Sequence, residues 1–308
     1  MNILTLENVS KKFGEKLILD GINLTVPEGS IYGFVGKNGA GKTTTMKMVL
    51  GLEDLTEGSI KIKGESVTFG NTKTNQWTGY LPDVPEFYGF MSAGEYLKLC
   101  GEITGIPKSE LSTKVKSMLK KVGLEDSKQP IKKFSRGMKQ RLGAAQALLN
   151  EPKLLICDEP TSALDPNGRR EFLDLLYSLK ENVTIIFSTH ILNDVERICD
   201  HVGILNEGKI IADTTLTDLK KQFASSKMEV LMEAKDNVLL EDILNRLIHE
   251  GKVQTYEKAN ESYFVSYSGD YADLLEELYG SCKKAHIVPN LLRKIEPSLE
   301  SIFLEVTR

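Results

Sequence analysis

Cysteine is scarce in this chain, which has four cysteines among 308 residues. They form no CxxC pair, and none lies near a histidine at the spacing of a metal site, so neither a disulfide framework nor a zinc site is expected. The four are Cys100, Cys157, Cys199 and Cys282. A reducing compartment fits this pattern.

Long apolar runs are absent as well, because no segment approaches the roughly 20 apolar residues that span a bilayer. The first residues, MNILTLE, lack the basic region and the long apolar region of a signal peptide. We therefore expect any role at a membrane to come through a partner protein.

Neither sign of charge is in large excess, since the net charge is −4 and the lysines and arginines are scattered along the chain. A nucleic-acid-binding surface needs basic residues gathered on one face, so nucleic acid is not an expected partner. Short lysine pairs such as Lys11-Lys12 indicate solvated surface. The length allows a full-sized α/β domain and a smaller second domain.

Strands alternate with helices over the first two thirds of the chain. The apolar patterns predict strands at 3–9, 16–26, 30–35, 154–157 and 183–187, and helices at 43–51 and 169–180. Between them, apolar residues at helical spacing predict a helical subdomain of about 84–150. This alternation indicates an α/β fold with a mostly parallel sheet.

The pattern loosens around 216–227, where we place a domain boundary. The first domain is predicted to cover 1–220 and a small α+β domain 224–308, near the lower end of independent domain size. The second domain is predicted to contain strands at 228–233, 252–257, 262–267 and 284–288 and helices at 238–250, 270–280 and 297–305.

A glycine-rich loop follows the strand at 30–35, and its segment GKNGAGKT matches the phosphate-loop pattern GxxxxGK[ST]. Glycines let successive backbone N–H groups face phosphate oxygens, and the helix that follows adds its positive N-terminal end. Lys42 is expected to reach the β- and γ-phosphates, and the Thr43 hydroxyl to bind Mg²⁺. The candidate nucleotide-binding residues here are Gly36, Lys37, Asn38, Gly39, Ala40, Gly41, Lys42, Thr43 and Thr44. The strand before the loop and the helix after it argue against a chance match in a turn.

Two acids end the apolar strand at 154–157. Asp158 suits a second Mg²⁺ contact, and Glu159 could polarise a water aligned on the γ-phosphate. An exposed acidic turn before Pro160 is the alternative interpretation. The phosphate loop upstream favours the catalytic one.

The run FSRGMKQR at 134–141 resembles the signature sequence of ABC ATPases, in the SxGMxQR variant. The segment 162–165 resembles the family's D-loop, and His190 resembles its switch histidine. Phe13 resembles the aromatic residue that stacks on adenine in this family. The resemblance covers roughly 1–220. It implies a P-loop ATPase core that hydrolyses ATP with Mg²⁺.

The resemblance also implies roles for individual residues. Ser135 and Gly137 would bind the γ-phosphate of a second copy, closing two ATP molecules into a homodimer. His190 would contact the γ-phosphate and orient Glu159, and Phe13 would stack on adenine. Simpler interpretations stand beside these: Ser135 as a helix N-cap, His190 as a structural residue and Phe13 as a core residue.

Two positions depart from the family pattern. Arg136 replaces the first glycine of the usual signature pair. Asp83 stands where the family usually has a glutamine and the lantibiotic group often has a glutamate, whose side chain is one methylene longer. The resemblance implies that Asp83 contacts the nucleotide and its Mg²⁺. The resemblance implies that the Asp83 loop and the helical subdomain form a groove for a helix of a separate transmembrane permease. The chain would then lie in the cytoplasm, peripheral on the inner face of the cell membrane.

The second predicted domain, with its ending at 296–305, resembles the accessory domain of the drug and antibiotic-peptide exporter subfamily, which includes bacitracin-type and lantibiotic-type exporters. An export ATPase is therefore the main hypothesis. A soluble ABC ATPase without a transport role, acting on ribosomes or in cluster assembly, is the alternative. A P-loop kinase or GTPase is a third hypothesis, which the signature run argues against.

Overall fold

Residues 1–71, 73–223 and 226–307 are described by the structure, which is a computed structural model. A four-stranded antiparallel sheet comes first along the chain. In spatial order its strands are β2 (Lys16–Pro27), β1 (Asn2–Phe13), β4 (Glu57–Ile62) and β5 (Glu65–Ser66). The strands β1 and β2 agree with the predicted ones. The strands β4 and β5 were not predicted, because they are short and largely polar in sequence.

A six-stranded sheet carries the phosphate loop. In spatial order its strands are β10 (Lys209–Thr215), β9 (His201–Asn206), β3 (Ile31–Gly36), β8 (Thr184–Thr189), β7 (Leu154–Asp158) and β6 (Thr78–Leu81). All neighbouring pairs are parallel except β9 and β10. Every residue of β3, β7 and β8 is buried, as expected for strands covered on both faces. The predicted α/β fold with a mostly parallel sheet is confirmed.

Helices alternate with strands in the first part of the chain. They are α1 (Lys42–Val49), α2 (Ala93–Ile103), α3 (Lys108–Lys121), α4 (Arg136–Leu148), α5 (Pro166–Leu179), α6 (Leu192–Ile198) and α7 (Leu216–Gln222), with short 3-10 helices at Lys73–Trp77 and Ile131–Lys133. The helix α4 lies directly on β6, because a Cβ atom on Gly79 would stand 2.2 Å from the Ala147 carbonyl oxygen. Only glycine allows this approach of helix backbone to strand backbone.

A second sheet-and-helix unit has its own core. Its sheet has the order β12 (Val253–Ala259), β13 (Ser262–Tyr267), β11 (Lys227–Leu231) and β14 (Leu291–Lys294). Its helices are α8 (Asn237–His249) and α9 (Tyr271–Lys284), with a 3-10 helix at Ala234–Asp236, and α10 (Leu299–Val306) ends the chain. Buried side chains from both helices and from the sheet form one cluster.

The strand predicted at 284–288 is wrong. The helix α9 continues to Lys284, and the strand that joins the sheet is β14. Ile287 is buried, and its N–H donates to the Cys282 carbonyl. The segment 286–288 therefore closes the C-terminal end of α9 instead of forming a strand.

Internal contacts divide the chain into Met1–Asp218 with Phe303–Arg308 and Leu219–Ile302. Ala224, where the second predicted domain begins, lies outside the described residues. Among the described residues, no helix combines the length and the apolar character needed to cross a membrane.

Candidate functional site

The loop between β3 and α1 wraps around its own lysine. Gly39 and Gly41 have φ angles of 82° and 111°, a left-handed backbone that favours glycine. Lys42 is 6% exposed, and its Nζ donates to the Gly36 carbonyl at 2.8 Å and to the Lys37 carbonyl at 3.4 Å. The loop therefore holds one ammonium group against its own backbone at the N-terminal end of α1.

Asp158 lies at the carboxyl end of β7 and is 3% exposed. Burial raises the pKa of its carboxyl, and the nearby Thr43 and Ser188 hydroxyls oppose that rise. Its Oδ1 atom is buried and has no hydrogen-bond partner among the described residues. A buried carboxylate oxygen without a partner, beside a threonine hydroxyl, fits the oxygen ligands that Mg²⁺ prefers.

Within residues 1–71, 73–223 and 226–307, no group of three or more His, Cys, Asp or Glu side chains is arranged so that it could hold a metal ion by itself. Magnesium keeps several waters and is bound through one or two protein groups together with substrate phosphates.

Glu159 stands between Lys42 and His190. Its Oε1 lies 3.3 Å from Lys42 Nζ, and its Oε2 lies 2.9 Å from His190 Nδ1. The Thr189 hydroxyl also donates to Oε2, at 3.2 Å. The carboxylate is 15% exposed and the His190 side chain 43%. The structure thus brings together the predicted phosphate-loop lysine, the predicted water-orienting acid and the predicted switch histidine.

Phe13 ends β1 and is 48% exposed, so it is not a core residue. One side of its ring is covered by Lys11, whose Nζ lies 4.6 Å from the ring centroid. Lys11 is 4% exposed and forms ion pairs with Glu53, at 2.7 Å, and with Asp54. The prediction that the Lys11-Lys12 pair is solvated surface is therefore wrong for Lys11. The arrangement leaves an aromatic ring that can stack on a planar base.

The Asp83 carboxylate is engaged by a neighbouring loop. Its Oδ1 accepts a hydrogen bond from the Ser162 hydroxyl at 2.5 Å, and its backbone carbonyl accepts one from Gln140 at 3.0 Å. Its predicted contact with Mg²⁺ stays a prediction. The contact to Ser162 was not predicted from the sequence, because the two residues are 79 positions apart.

Ser135 caps α4, since its Oγ accepts the Met138 N–H at 3.2 Å. Ser135 and Gly137 line a groove of 660 Å³ together with the segment 162–165. No phosphate-loop residue lines this groove. Within one chain the two predicted halves of the site are therefore formed by different surfaces.

Two buried residues of the site region were given no role from the sequence. Asp194 is 2% exposed and accepts hydrogen bonds from Thr161 at 2.7 Å and from Arg169 at 2.6 Å. Gln140 is 3% exposed and donates to the Pro160 carbonyl at 2.9 Å. Asp194 is a single acid on an amphipathic helix, and no spacing distinguishes it from a surface residue. Gln140 lies in the signature run 134–141, but that run indicates the family and not the buried contact of this amide.

The buried strand β3, the glycine-rich loop and the helix that begins at Lys42 form a phosphate-binding loop, and the acid pair lies two strands away in the sheet. These features define a P-loop NTPase. The ABC transporter family matches residues 19–162. The chain is 43% identical to the bacitracin transport ATP-binding protein BcrA of Bacillus licheniformis, over 71% of this chain and 72% of BcrA. It belongs to the ATP-binding proteins of the ABC transporter family. Its enzyme class is therefore ATPase, with ATP and Mg²⁺ as its nucleotide and metal, and the kinase or GTPase hypothesis is excluded.

Two further comparisons bear on the chain as a whole. It is 32% identical to the linearmycin resistance ATP-binding protein LnrL of Bacillus subtilis (strain 168), over 99% of this chain and 98% of LnrL. A solved ATP-binding cassette, dimeric in a post-hydrolysis state with ADP and Pi, is 26% identical with a TM-score of 0.62, and the match covers 69% of this chain and 98% of that one. The resemblance to ABC ATPases that we found in the sequence is confirmed.

Proposed function

We propose that the chain is the ATP-hydrolysing subunit of an exporter for antibiotics or related peptides, acting with a separate transmembrane permease at the cytoplasmic face of the membrane. The similarity to a bacitracin transport protein and to a linearmycin resistance protein supports the exporter. The match to LnrL covers nearly the whole chain, including the region 224–308, which we propose as an accessory domain. This favours an exporter over a soluble ABC ATPase without a transport role.

The observation that carries the ATPase mechanism is the placement of Glu159 between Lys42 and His190. Lys42 and the backbone N–H groups of its loop bind the β- and γ-phosphates. Thr43 and Asp158 would hold Mg²⁺, which would supply positive charge beside the phosphates when bound. Glu159 accepts a proton from the attacking water or orients it, and His190 keeps the carboxylate in place.

The second half of each site is proposed to come from another copy of the chain. The helix α4 has no acidic residue in its first turn, so its positive N-terminal end at Ser135 suits an anion. Ser135 and Gly137 would offer this end to the γ-phosphate that the second copy holds. The dimeric cassette with ADP and Pi supports such an arrangement.

The permease is proposed to dock at a groove of 680 Å³ beside the Asp83 loop. Its apolar lining comes mainly from that loop, namely Val84, Pro85 and Phe87, with Ile131 beside them. Val84 and the nearby Phe90 are 68% and 77% exposed. An exposed apolar groove of this size suits an amphipathic helix of a partner.

The test of the shared site uses Glu159→Gln, which removes the proton acceptor and spares the proposed phosphate and Mg²⁺ contacts. Light scattering should show a monomer without nucleotide and a dimer with Mg-ATP. Adding Ser135→Arg places a bulky cation at the end of α4 and should abolish the dimer while ATP still binds. Adding Ser92→Arg instead alters the cap of α2 and is the matched control.

Two results would contradict the shared site. One is dimerisation of Glu159→Gln that does not depend on Mg-ATP. The other is dimerisation that survives Ser135→Arg as fully as it survives Ser92→Arg.

A further inference from the structure

The backbone of Glu159 has an unusual conformation. Its φ angle is 47°, in the left-handed region that non-glycine residues rarely adopt. Such a residue costs conformational free energy and persists only where the surroundings fix it. The residues that fix Glu159 therefore help to place its carboxylate.

Four consecutive residues, from Glu159 to Ser162, are each anchored by a different element. The anchors are Glu159 N–H to the Ser188 carbonyl at 2.8 Å, the Pro160 carbonyl from Gln140 at 2.9 Å, the Thr161 hydroxyl to Asp194 at 2.7 Å and the Ser162 hydroxyl to Asp83 at 2.5 Å. The turn is closed internally by the Ser162 N–H, which donates to the Glu159 carbonyl at 3.2 Å. We call these four residues the Glu159 turn.

Gln140 is the anchor that joins the Glu159 turn to the loop of Asp83. Its Nε2 donates both to the Pro160 carbonyl in the Glu159 turn and to the Asp83 carbonyl in the neighbouring loop, at 2.9 and 3.0 Å. Both partners are carbonyl oxygens, which only accept, so the amide nitrogen must face them. Its Oε1 has no partner among the described residues. The site therefore requires a side chain that donates two hydrogen bonds, which a carboxylate or a thioether cannot do.

We propose that Gln140 is a positioning residue for Glu159: its amide fixes the Glu159 turn and thereby holds the Glu159 carboxylate between Lys42 and His190. This inference rests on the catalytic role proposed for Glu159. The hydrogen bonds of the Gln140 amide go to Pro160 and Asp83, and not to the loop of Lys42. Its loss should slow turnover and leave nucleotide binding unchanged.

The first variant is Gln140→Met, which keeps the length of the side chain and removes both donors. A small displacement of a reacting group can cost about a hundredfold in rate, so we expect kcat to fall at least ~10-fold. The KM for ATP and the affinity for Mg-ATP should stay within about twofold, because the loop of Lys42 is not disturbed. Gln146→Met is the matched control, since Gln146 lies on the same helix and accepts a hydrogen bond from Tyr96.

The second variant, Gln140→Glu, should have a kcat that depends on pH. A loss of packing alone would not produce such a dependence. The protonated carboxyl can donate one hydrogen bond, whereas the ionised carboxyl places negative charge against two carbonyl oxygens. Burial raises the pKa of such a carboxyl. The kcat of Gln140→Glu relative to wild type should therefore rise as the pH falls from about 8.5 to about 6.

Wild-type kcat in Gln140→Met overturns the proposal. So does an equal loss in Gln146→Met, or a ratio of Gln140→Glu to wild type that does not change with pH. Glu159→Gln is measured in parallel. Wild-type turnover in that variant would remove the catalytic role of Glu159 itself, which is a different outcome from failure at Gln140 alone.

Discussion

Replacing Asp158 with Asn should stabilise the folded protein in the absence of Mg²⁺ and nucleotide, while abolishing turnover. The carboxyl is 3% exposed, and its Oδ1 has no hydrogen-bond partner among the described residues. Asn has nearly the same shape and no charge, so it keeps the packing and avoids burying an anion. The loss of turnover follows from the loss of the proposed Mg²⁺ ligand.

The size of the stabilisation can be bounded. A buried polar group without a partner costs about 1–3 kcal/mol, and more if it is charged. Asn leaves one uncharged oxygen in the same place, and Thr43 already compensates part of the cost for Asp158. We therefore expect a gain of about 1 kcal/mol, or a rise of about 2–4 °C in Tm for a unit of this size.

The effect should depend on pH with a definite sign. Burial raises the folded-state pKa of Asp158 above its ordinary value of 3.8. The destabilisation by the ionised carboxyl is therefore complete above the raised pKa and disappears as the pH falls toward the unfolded-state value. The difference in Tm between Asp158→Asn and wild type should be largest at neutral pH and should shrink in acid.

Thermal unfolding in EDTA, at several pH values, measures this difference. Asp174→Asn is the matched control, because Asp174 is 60% exposed and its removal should change Tm little. A variant less stable than wild type at neutral pH would show that Asp158 is fully compensated in the folded protein. A Tm difference that grows on acidification would refute the sign of the pKa argument.

Two further predictions concern the edges of the site. Lys11→Met should raise the KM for ATP about three- to fivefold, because the ring of Phe13 loses its cation, and should leave inhibition by tripolyphosphate unchanged. Lys12→Met is the exposed control. An equal weakening of inhibition by tripolyphosphate in Lys11→Met would contradict the adenine-stacking assignment of Phe13. Asp83→Gln should leave ATP affinity near that of wild type and reduce turnover less than Glu159→Gln does. Equal loss of turnover in the two variants would show that Asp83 acts in the chemistry.

Much of the site could be predicted where its residues are contiguous in sequence. The phosphate loop lies within a few positions at the end of an apolar strand, so its spacing indicated its chemistry. The acid pair also ends an apolar strand, but its chemistry was indicated only together with the phosphate loop upstream. The structure then brings Lys42, Glu159 and His190 within hydrogen-bonding or ion-pairing distance. Their individual roles stay predictions that the variants above test.

The supporting contacts could not be predicted, because they join distant segments. Lys11 meets Glu53 and Asp54 more than 40 positions away, so a lysine pair that suggested surface conceals a buried cation. Gln140 and Asp83 are 57 positions apart and meet through a backbone carbonyl, which carries no sequence signal. In the second unit, the segment 286–288 contains residues that favour a strand, yet Ile287 donates a hydrogen bond to the end of the preceding helix α9.

The bare contact at Gly79 has a mechanical consequence. Where α4 rests on β6 there is no side chain at that point to rotate or compress, so strand and helix have no soft layer between them. A displacement of β6 at this point would act on the backbone of α4 directly, because rotamer changes cannot absorb it there. Ser135 caps the other end of the same helix, so we expect the position of this cap to be coupled to the position of the strand.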